Sequence, residues 1–466
     1  MRTKIICTIG PASNSEEVLQ KMHEVGMSVA RVNCSHGTLE ANETTIKHLK
    51  DVRKRLNMPL AVMLDTKGPD VRIGRFAEGS VFLINGQKFT LTTKPCTGND
   101  SRVFVDCKKL PKVVKKGQVF LLNDGFIRMT AQNVTETEIE CWVDAGGKLS
   151  DRKSLYAPGA NLQLPFLSKA DELDLLMGIK MDVDYIAASF VSTAKDIISM
   201  KKFLSAHGAN IPIIAKIESV GGVTEIDEIL KVADGIMTAR GDLGVEYPIE
   251  QIPTIQKLLT RKAMEAGKLV ITATEMLESM IEKPRPTRAE TTDIANAVYD
   301  GTSCVMLSGE TAVGKFPVEA VNYMKRIAEE AEKNISYETE FNRSDVMVKS
   351  TKEAFAKTIT SASLSAKAKA IIVFTESGGT ATRVSKYHPD CQIYAFAREK
   401  KVYYQMAMIN GITPIYMNQI LTVSQMLKTG NDYILNNKLA KKGEIIVVNA
   451  SYQDTDTDLV LIHPLA

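Results

Sequence analysis

The feature that most restricts the fold is a repeat of eight short apolar runs, each trailed by a stretch with helical spacing. The runs are 4–10, 29–34, 60–66, 184–191, 211–218, 235–242, 268–275 and 304–310. They are rich in Val, Ile, Leu and Ala, as strands buried on both faces of a parallel sheet require. Segments such as SEEVLQKMHEVG, ADELDLLMGIK, AKDIISMKKFLSAHG and VTEIDEILKVAD carry apolar residues at helical intervals, and several end in Gly. Eight strand–helix units are the count of a (β/α)8 TIM barrel, an α/β fold whose functional residues gather at the C-terminal strand ends.

Polar residues recur at those ends: Arg31 and Asn33, Asp65 and Thr66, Lys216 and Glu218, Arg240 and Asp242, Thr274, and Ser308 with Glu310. In IPIIAKIE, Lys216 and Glu218 flank Ile217, so strand alternation sends both charges to one side. Burying either charge unpaired costs several kcal/mol. A structural ion pair at a strand end is the bland account, and a charged site at the mouth of the barrel is the sharp one.

Two regions break the repeat. Residues 70–163 show period-two stretches (VFLINGQKFTLTT, GQVFLLND, EIECWVD), the pattern of a small all-β insertion, expected to be a β-barrel, placed on a loop beside the site. Its Trp142, the only tryptophan, is expected in the core of that insertion. After the polar linker 332–345, the runs AIIVF, QIYAF, TPIYM and EIIVVN alternate with helical stretches, which reads as a separate α/β domain with a mainly parallel sheet. The division is therefore 1–69 (barrel, first part), 70–163 (inserted lid), 164–341 (barrel, second part) and 342–466 (C-terminal α/β domain).

Bulk properties exclude several alternatives. At 466 residues the chain needs two or three cores. A net charge of +3 gives no reason to expect nucleic acid or an anionic membrane as partner. Seven scattered cysteines without CxxC spacing fit a reducing compartment. No apolar run approaches a membrane span or a signal sequence, and a cytoplasmic location is expected.

The side chains at the strand ends suggest phosphoryl chemistry. Glu218 and Asp242 are a carboxylate pair suited to Mg2+ or Mn2+, which shares its octahedron with water and substrate oxygens. Arg31 offers a bidentate anion contact and Lys216 a point charge. A divalent ion with Arg and Lys is the equipment of phosphoryl transfer. Asn33, Ser35, Asp65 and Thr66 supply one carboxylate and three neutral oxygens, a set suited to a monovalent cation, although turn and capping duty is the default for each. ARGDLG (239–244) is a tight turn opening a helix whose N–H groups could hold a carboxylate or phosphate. His36 reads as an edge-of-site hydrogen-bonding residue and Cys34 as packing. In the last domain TESGGT (375–380) stands between strand and helix, and its Thr375, Ser377, Gly378, Gly379 and Thr380 could cradle a phosphate or simply cap the helix.

Along its whole length the chain resembles the pyruvate kinase family, through CTIGPAS, RVNCSHG, LDTKGPDVR, PIIAKIES, TARGDLGVE, KPRPTRAETTDIANAVYDG and MLSGETAVGKFP. The resemblance implies a barrel, a lid inserted after its third strand, a C-terminal regulatory domain and a homotetramer. It implies transfer of the phosphoryl group of phosphoenolpyruvate to ADP, the last step of glycolysis. By the same resemblance Arg31 and Lys216 hold the moving phosphoryl group, and Glu218 and Asp242 bind Mg2+ or Mn2+. The backbone of Gly241 and Asp242, with the Thr274 hydroxyl, grips the substrate carboxylate, and Thr274 lies on the path of the proton that reaches the enolate. Asn33, Ser35, Asp65 and Thr66 bind K+, and Thr8, Pro11, Asn33, His36, Arg72 and Lys153 match nucleotide-contacting positions.

The chain departs from the family pattern at identifiable places. RKSLYAPG stands near Lys153 where KKGVNLPG is typical, Glu275 follows Thr274 where Gln is usual, and Cys34 replaces Phe or Leu. Lys67 with Asp70 resembles the K+-dependent members. Asp454, Asp456 and Asp458 occupy the place of a Gly-rich effector loop, and acids there would repel a bisphosphate. A monophosphate effector at TESGGT is therefore expected over fructose 1,6-bisphosphate. Two rivals remain. A lyase using Lys216 as a Schiff base is disfavoured by Arg31 and Glu218, which keep that lysine charged. A silent relative would lack at least one of Arg31, Lys216, Glu218, Asp242 and Thr274, and all five are present.

Overall fold

The computed structural model describes residues 1–123, 125–160, 165–343, 348, 350–451 and 458–466. Eight parallel strands close into a barrel: β1 (Lys4–Thr8), β2 (Met27–Asn33), β3 (Ala61–Asp65), β4 (Tyr185–Ala188), β5 (Ile213–Ile217), β6 (Gly235–Ala239), β7 (Leu269–Ala273) and β8 (Cys304–Leu307). They pair in sequence order, and β1 meets β8 with Lys4 opposite Cys304. Nearly every strand residue is buried, because the outer face is covered by helices and the inner face by other strands. Ile6, Val29, Met63, Ile214, Met237, Ile271 and Met306 fill the interior.

Helix starts follow the capping chemistry of the sequence. Ser15, Thr38, Ser168 and Thr287 accept backbone N–H groups at helix N-termini, and Ser168 and Thr287 form reciprocal capping boxes with Asp171 and Glu290. Gly68, at φ +74, follows β3 where the chain leaves the barrel for the insertion. A Cβ there would lie 2.7 Å from Ser189 Cβ, so only glycine allows the loop to pack against that serine.

The insertion holds a six-stranded sheet and a two-stranded ribbon (Ser80–Leu83 with Gly147–Ser150) around one apolar core, a curled pair of sheets rather than one closed barrel. Trp142 is 39% exposed, which corrects the expectation that it is core. Alternation along Glu138–Ala145 turns Ile139, Cys141 and Val143 inward and Trp142 outward, where Lys88 Nζ sits 5.6 Å from its ring centroid.

The C-terminal domain has a five-stranded sheet ordered Ile412–Tyr416, Gln392–Ala397, Ala370–Thr375, Ile445–Ser451 and Asp458–Pro464. The first four strands are parallel and the last is antiparallel. That closing strand had no counterpart among the runs read from the sequence, and the linker holds a helix, Tyr337–Arg343. Asp454 and Asp456 lie outside the described residues.

This domain also seals the N-terminal end of the barrel. Ala407 and Met408 join the barrel's interior cluster. Lys4 Nζ donates to Ile412 O at 2.6 Å, Tyr185 Oη to Gln405 O at 2.8 Å, and Lys401 Nζ to Val183 O at 2.7 Å.

Candidate active site

The opposite, C-terminal end of the barrel gathers charge. β2 delivers Arg31, β3 Asp65, and β5 both Lys216 and, one residue past its end, Glu218. Arg31 Nε donates to Asp65 Oδ2 at 2.6 Å. Lys216 Nζ lies 3.1 Å from Asp65 Oδ1 and 2.9 Å from Glu218 Oε1, and donates to Ser189 Oγ at 2.8 Å. Glu218 Oε2 also takes the Phe190 N–H at 2.6 Å. The ion pair that the alternation of residues 216–218 allowed does form, and it is part of a larger network.

Pairing makes this burial tolerable, since isolated ions would cost several kcal/mol each. Burial pushes the Asp65 carboxyl up, but Arg31 and Lys216 outweigh it and hold it below its ordinary value. Burial also works against the Lys216 ammonium, and here Asp65 and Glu218 prevail, raising its pKa above that of an ordinary lysine. Glu218 is raised, by burial first and by the charge of Asp242, against the pull of Lys216. Lys216 is thus a fixed cation, which suits stabilisation of an anion and not the neutral amine of a Schiff base.

Asp242 lies in the first turn of the helix Arg240–Glu246, which starts directly after β6. Its Oδ1 accepts the hydroxyl of Tyr156, a residue of the insertion, at 2.7 Å. Beside it, Gly241 N–H donates to Thr274 Oγ1 at 2.9 Å. Thr274 and Glu275 both have positive φ, +68 and +53, a conformation that costs a β-branched residue about 1–3 kcal/mol. Arg240 holds this turn in place: its Nε donates to Ala273 O at 3.2 Å, its Nη2 to Thr274 O, and its Nη1 to both oxygens of Asp293.

Asn33 and Asp65 are register partners on β2 and β3, and Ser35 and Thr66 follow them. Asn33 Oδ1 receives the Ser35 N–H at 3.1 Å, and Thr66 Oγ1 receives the Ser189 N–H at 3.2 Å. Of the residues matched to nucleotide contacts, His36, Arg72 and Lys153 come together. The His36 pKa is lowered by burial first and then by Arg72, Arg31 and Lys153, which makes this rim electropositive. Pro11 is exposed, whereas Thr8 is buried, with its hydroxyl accepting from Arg31 Nη1 at 2.7 Å. The structure therefore sets Thr8 behind Arg31 rather than on the rim. Cys34 is fully buried and burial raises its thiol pKa, in keeping with packing.

Thr375–Thr380 lies elsewhere, in the C-terminal domain. Gly378 takes φ +78 at the start of the helix Gly379–Ser385. Ser377 and Gly378 line a cleft of about 440 Å³ against Asp234 and Lys268 of the barrel's N-terminal side, with Arg383 and Lys386 on the same wall.

Sequence reasoning missed Ser189, Tyr156 and Asp293. Ser189 follows β4 as the last polar group of DYIAASFV, the same signal that selected Asp65 and Lys216. Tyr156 and Asp293 carried no local signal.

Together the fold and its charged mouth define a barrel enzyme equipped to handle anionic phosphoryl groups. The model for "Pyruvate kinase, barrel domain" matches residues 1–321, and that for "Pyruvate kinase, alpha/beta domain" matches 353–463. A pyruvate kinase of Thermotoga maritima is 40% identical over 450 residues, 96% of each chain. One from Chlamydia muridarum is 44% identical over 426 residues, 90% of this chain and 88% of the other. The crystal structure of a Cryptosporidium parvum pyruvate kinase superposes with a TM-score of 0.93 at 36% identity, covering 100% of this chain and 96% of that one. The chain belongs to the pyruvate kinase family. It is a metal-dependent phosphotransferase that moves the phosphoryl group of phosphoenolpyruvate to ADP, giving pyruvate and ATP.

Proposed function

We propose that the network around Lys216 carries this reaction. The observation that supports it is the position of the Lys216 ammonium, buried at the barrel mouth and held charged by two carboxylates and a serine. Arg31 and Lys216 present two fixed cations to the transferring phosphoryl group, already oriented by Asp65, so no reorganisation is needed as charge develops. The backbone N–H groups of Gly241 and Asp242, with the Thr274 hydroxyl, receive the carboxylate of phosphoenolpyruvate. The Thr274 hydroxyl stands at that cradle, where it can pass a proton toward the enolate. His36, Arg72 and Lys153, with the exposed Pro11, with Asn33 and with Thr8 behind Arg31, form the nucleotide side.

Glu218 and Asp242 fit Mg2+ or Mn2+. They are close enough for the charge of Asp242 to be felt at Glu218, and a two-carboxylate set leaves positions for water and substrate oxygens. Bound there, the ion would neutralise phosphoryl oxygens. Asn33, Ser35, Asp65 and Thr66 would hold K+ at the neighbouring ends of β2 and β3. Thr375, Ser377, Gly378, Gly379 and Thr380 would take a phosphorylated effector. We further assign the chain to the cytoplasm as a homotetramer, with the division 1–69, 70–163, 164–341 and 342–466. Among the described residues no helix is long and apolar enough to cross a membrane.

The test is pyruvate formation from phosphoenolpyruvate and ADP by dialysed enzyme, with Mg2+ and K+ supplied separately and together. Full activity is expected only with both. Full activity with Mg2+ alone would remove the K+ assignment.

A further inference from the structure

We propose that Tyr156 is a positioning residue, carried by the inserted domain, that sets the orientation of the Asp242 carboxylate and so couples lid position to divalent-ion affinity. The inference rests on the reading of Asp242 as an ion ligand.

A 2.7 Å hydrogen bond from Tyr156 Oη to Asp242 Oδ1 brings the insertion onto the helix that bears Asp242. Leu155–Tyr156 pairs with Val119–Leu122, with Tyr156 opposite Leu121, so the donor sits on the edge strand of the lid's sheet. The turn beyond that neighbouring strand approaches the same Arg240–Glu246 helix, where a methyl group on Gly125 would just reach Val245. Within the lid, its entering and leaving segments are held to each other: Ser154 Oγ donates to Asp70 Oδ2 at 3.1 Å, and Arg72 Nε lies 2.8 Å from the same oxygen. A movement of the lid at this edge therefore carries the Tyr156 hydroxyl toward or away from Asp242.

A donor on one carboxylate oxygen fixes the rotation of the whole group, so the second oxygen takes one direction instead of a range. A hydrogen bond to a charged acceptor is among the stronger ones available to a side chain. Whatever the closed lid contributes to ion binding, a bound ion must return to lid closure, because coupling between two equilibria is reciprocal.

The experiment compares the full chain with Tyr156→Phe and Asp242→Asn, using Mn2+ as the probe. Mn2+ binding is followed by the paramagnetic resonance of free ion, and lid motion by the anisotropy decay of Trp142, the chain's only tryptophan. Removing the hydroxyl is expected to weaken Mn2+ about tenfold without changing the unfolding temperature. Mn2+ should slow the Trp142 decay in the parent chain and fail to do so in Tyr156→Phe. If Tyr156→Phe binds Mn2+ as the parent does while Asp242→Asn has lost it, the ion site stands and the coupling is wrong. If Asp242→Asn keeps the parent's affinity, the reading of Asp242 falls and takes the coupling with it.

Discussion

The two ends of one barrel treat a buried lysine in opposite ways. At the N-terminal end the C-terminal domain supplies what the strands lack: Ala407 and Met408 fill the interior, its backbone carbonyls take up Lys4 and Tyr185, and its Lys401 reaches Val183 O and the Asp182 carboxylate. Even so, burial lowers the Lys4 pKa to about 8, because a carbonyl solvates an ammonium without neutralising it. At the C-terminal end Arg31 and Lys216 face Asp65 and Glu218, and the Lys216 pKa rises instead. The strands are alike in composition and burial. What differs is the partner of the lysine: the N-terminal end pairs Arg53 with Asp184 and leaves Lys4 to a carbonyl of the docked domain, whereas the other end sets Lys216 between two carboxylates and adds Asp242, which leaves a surplus carboxylate for a cation to meet.

The contrast is most easily broken at the charged end. Lys216→Met should cost on the order of 10³–10⁵ in kcat, measured by pyruvate release, with the circular dichroism spectrum retained. A loss below about tenfold would show that the network is structural. At the sealed end the effects should exchange places. Met408→Ala removes a fully buried side chain and should cost about 2–5 kcal/mol in the first unfolding transition, with kcat per folded molecule unchanged. If kcat collapsed instead, the two ends would be coupled more tightly than separate solutions allow.

The smallest effect concerns His388, which lines the domain boundary with Arg2 and Asn410. Burial first, and then the charge of Arg2, lowers its pKa from 6.5 to about 4. Between those values the unfolded chain binds a proton that the folded chain does not, so stability rises with pH and is lost on acidification from about 6.5 to 4. His388 as a whole keeps some solvent exposure, and the loss should be about 2 kcal/mol. His388→Asn tolerates the left-handed backbone at this position, φ +46. Denaturant titrations of both chains should converge as pH falls through that window. Parallel curves would clear His388.

Much of the charged end was legible because its residues follow apolar strands at fixed offsets. The spacing of Lys216 and Glu218 places both on one side whatever the rest of the chain does, and they meet. The register that puts Asn33 opposite Asp65 follows from the order of the strands. What escaped is what depends on distant chain. Tyr156 reaches Asp242 from 86 residues away, and Arg240 finds Asp293 from 53. No periodicity encodes either contact. Ser189 escaped for another reason: a short hydroxyl at a strand end looks like a turn residue, and its role shows only in the tertiary contacts with Lys216 Nζ at 2.8 Å, Thr66 O at 2.7 Å and Asp65 Oδ1 at 3.2 Å. The sealed end was invisible altogether, since Ala407 and Met408 sit in a 3₁₀ turn whose sequence carries no sign of being a plug. Trp142 shows the converse error, in which residue type was trusted over a two-residue alternation that was plain to read.

The closure of the ring also has a consequence in time. β1 finds β2 about twenty residues downstream but pairs on its other side only with β8, Lys4 against Cys304. At roughly 5–20 residues per second, a ribosome needs on the order of 15–60 s to deliver that second neighbour. Through this interval the nascent barrel is an open, curved sheet with a bare apolar edge, the geometry most prone to wrong pairing. The domain that plugs the ring is made later still. The chain must therefore hold its first strand, until the eighth arrives, in the open-edged state that its finished form abolishes.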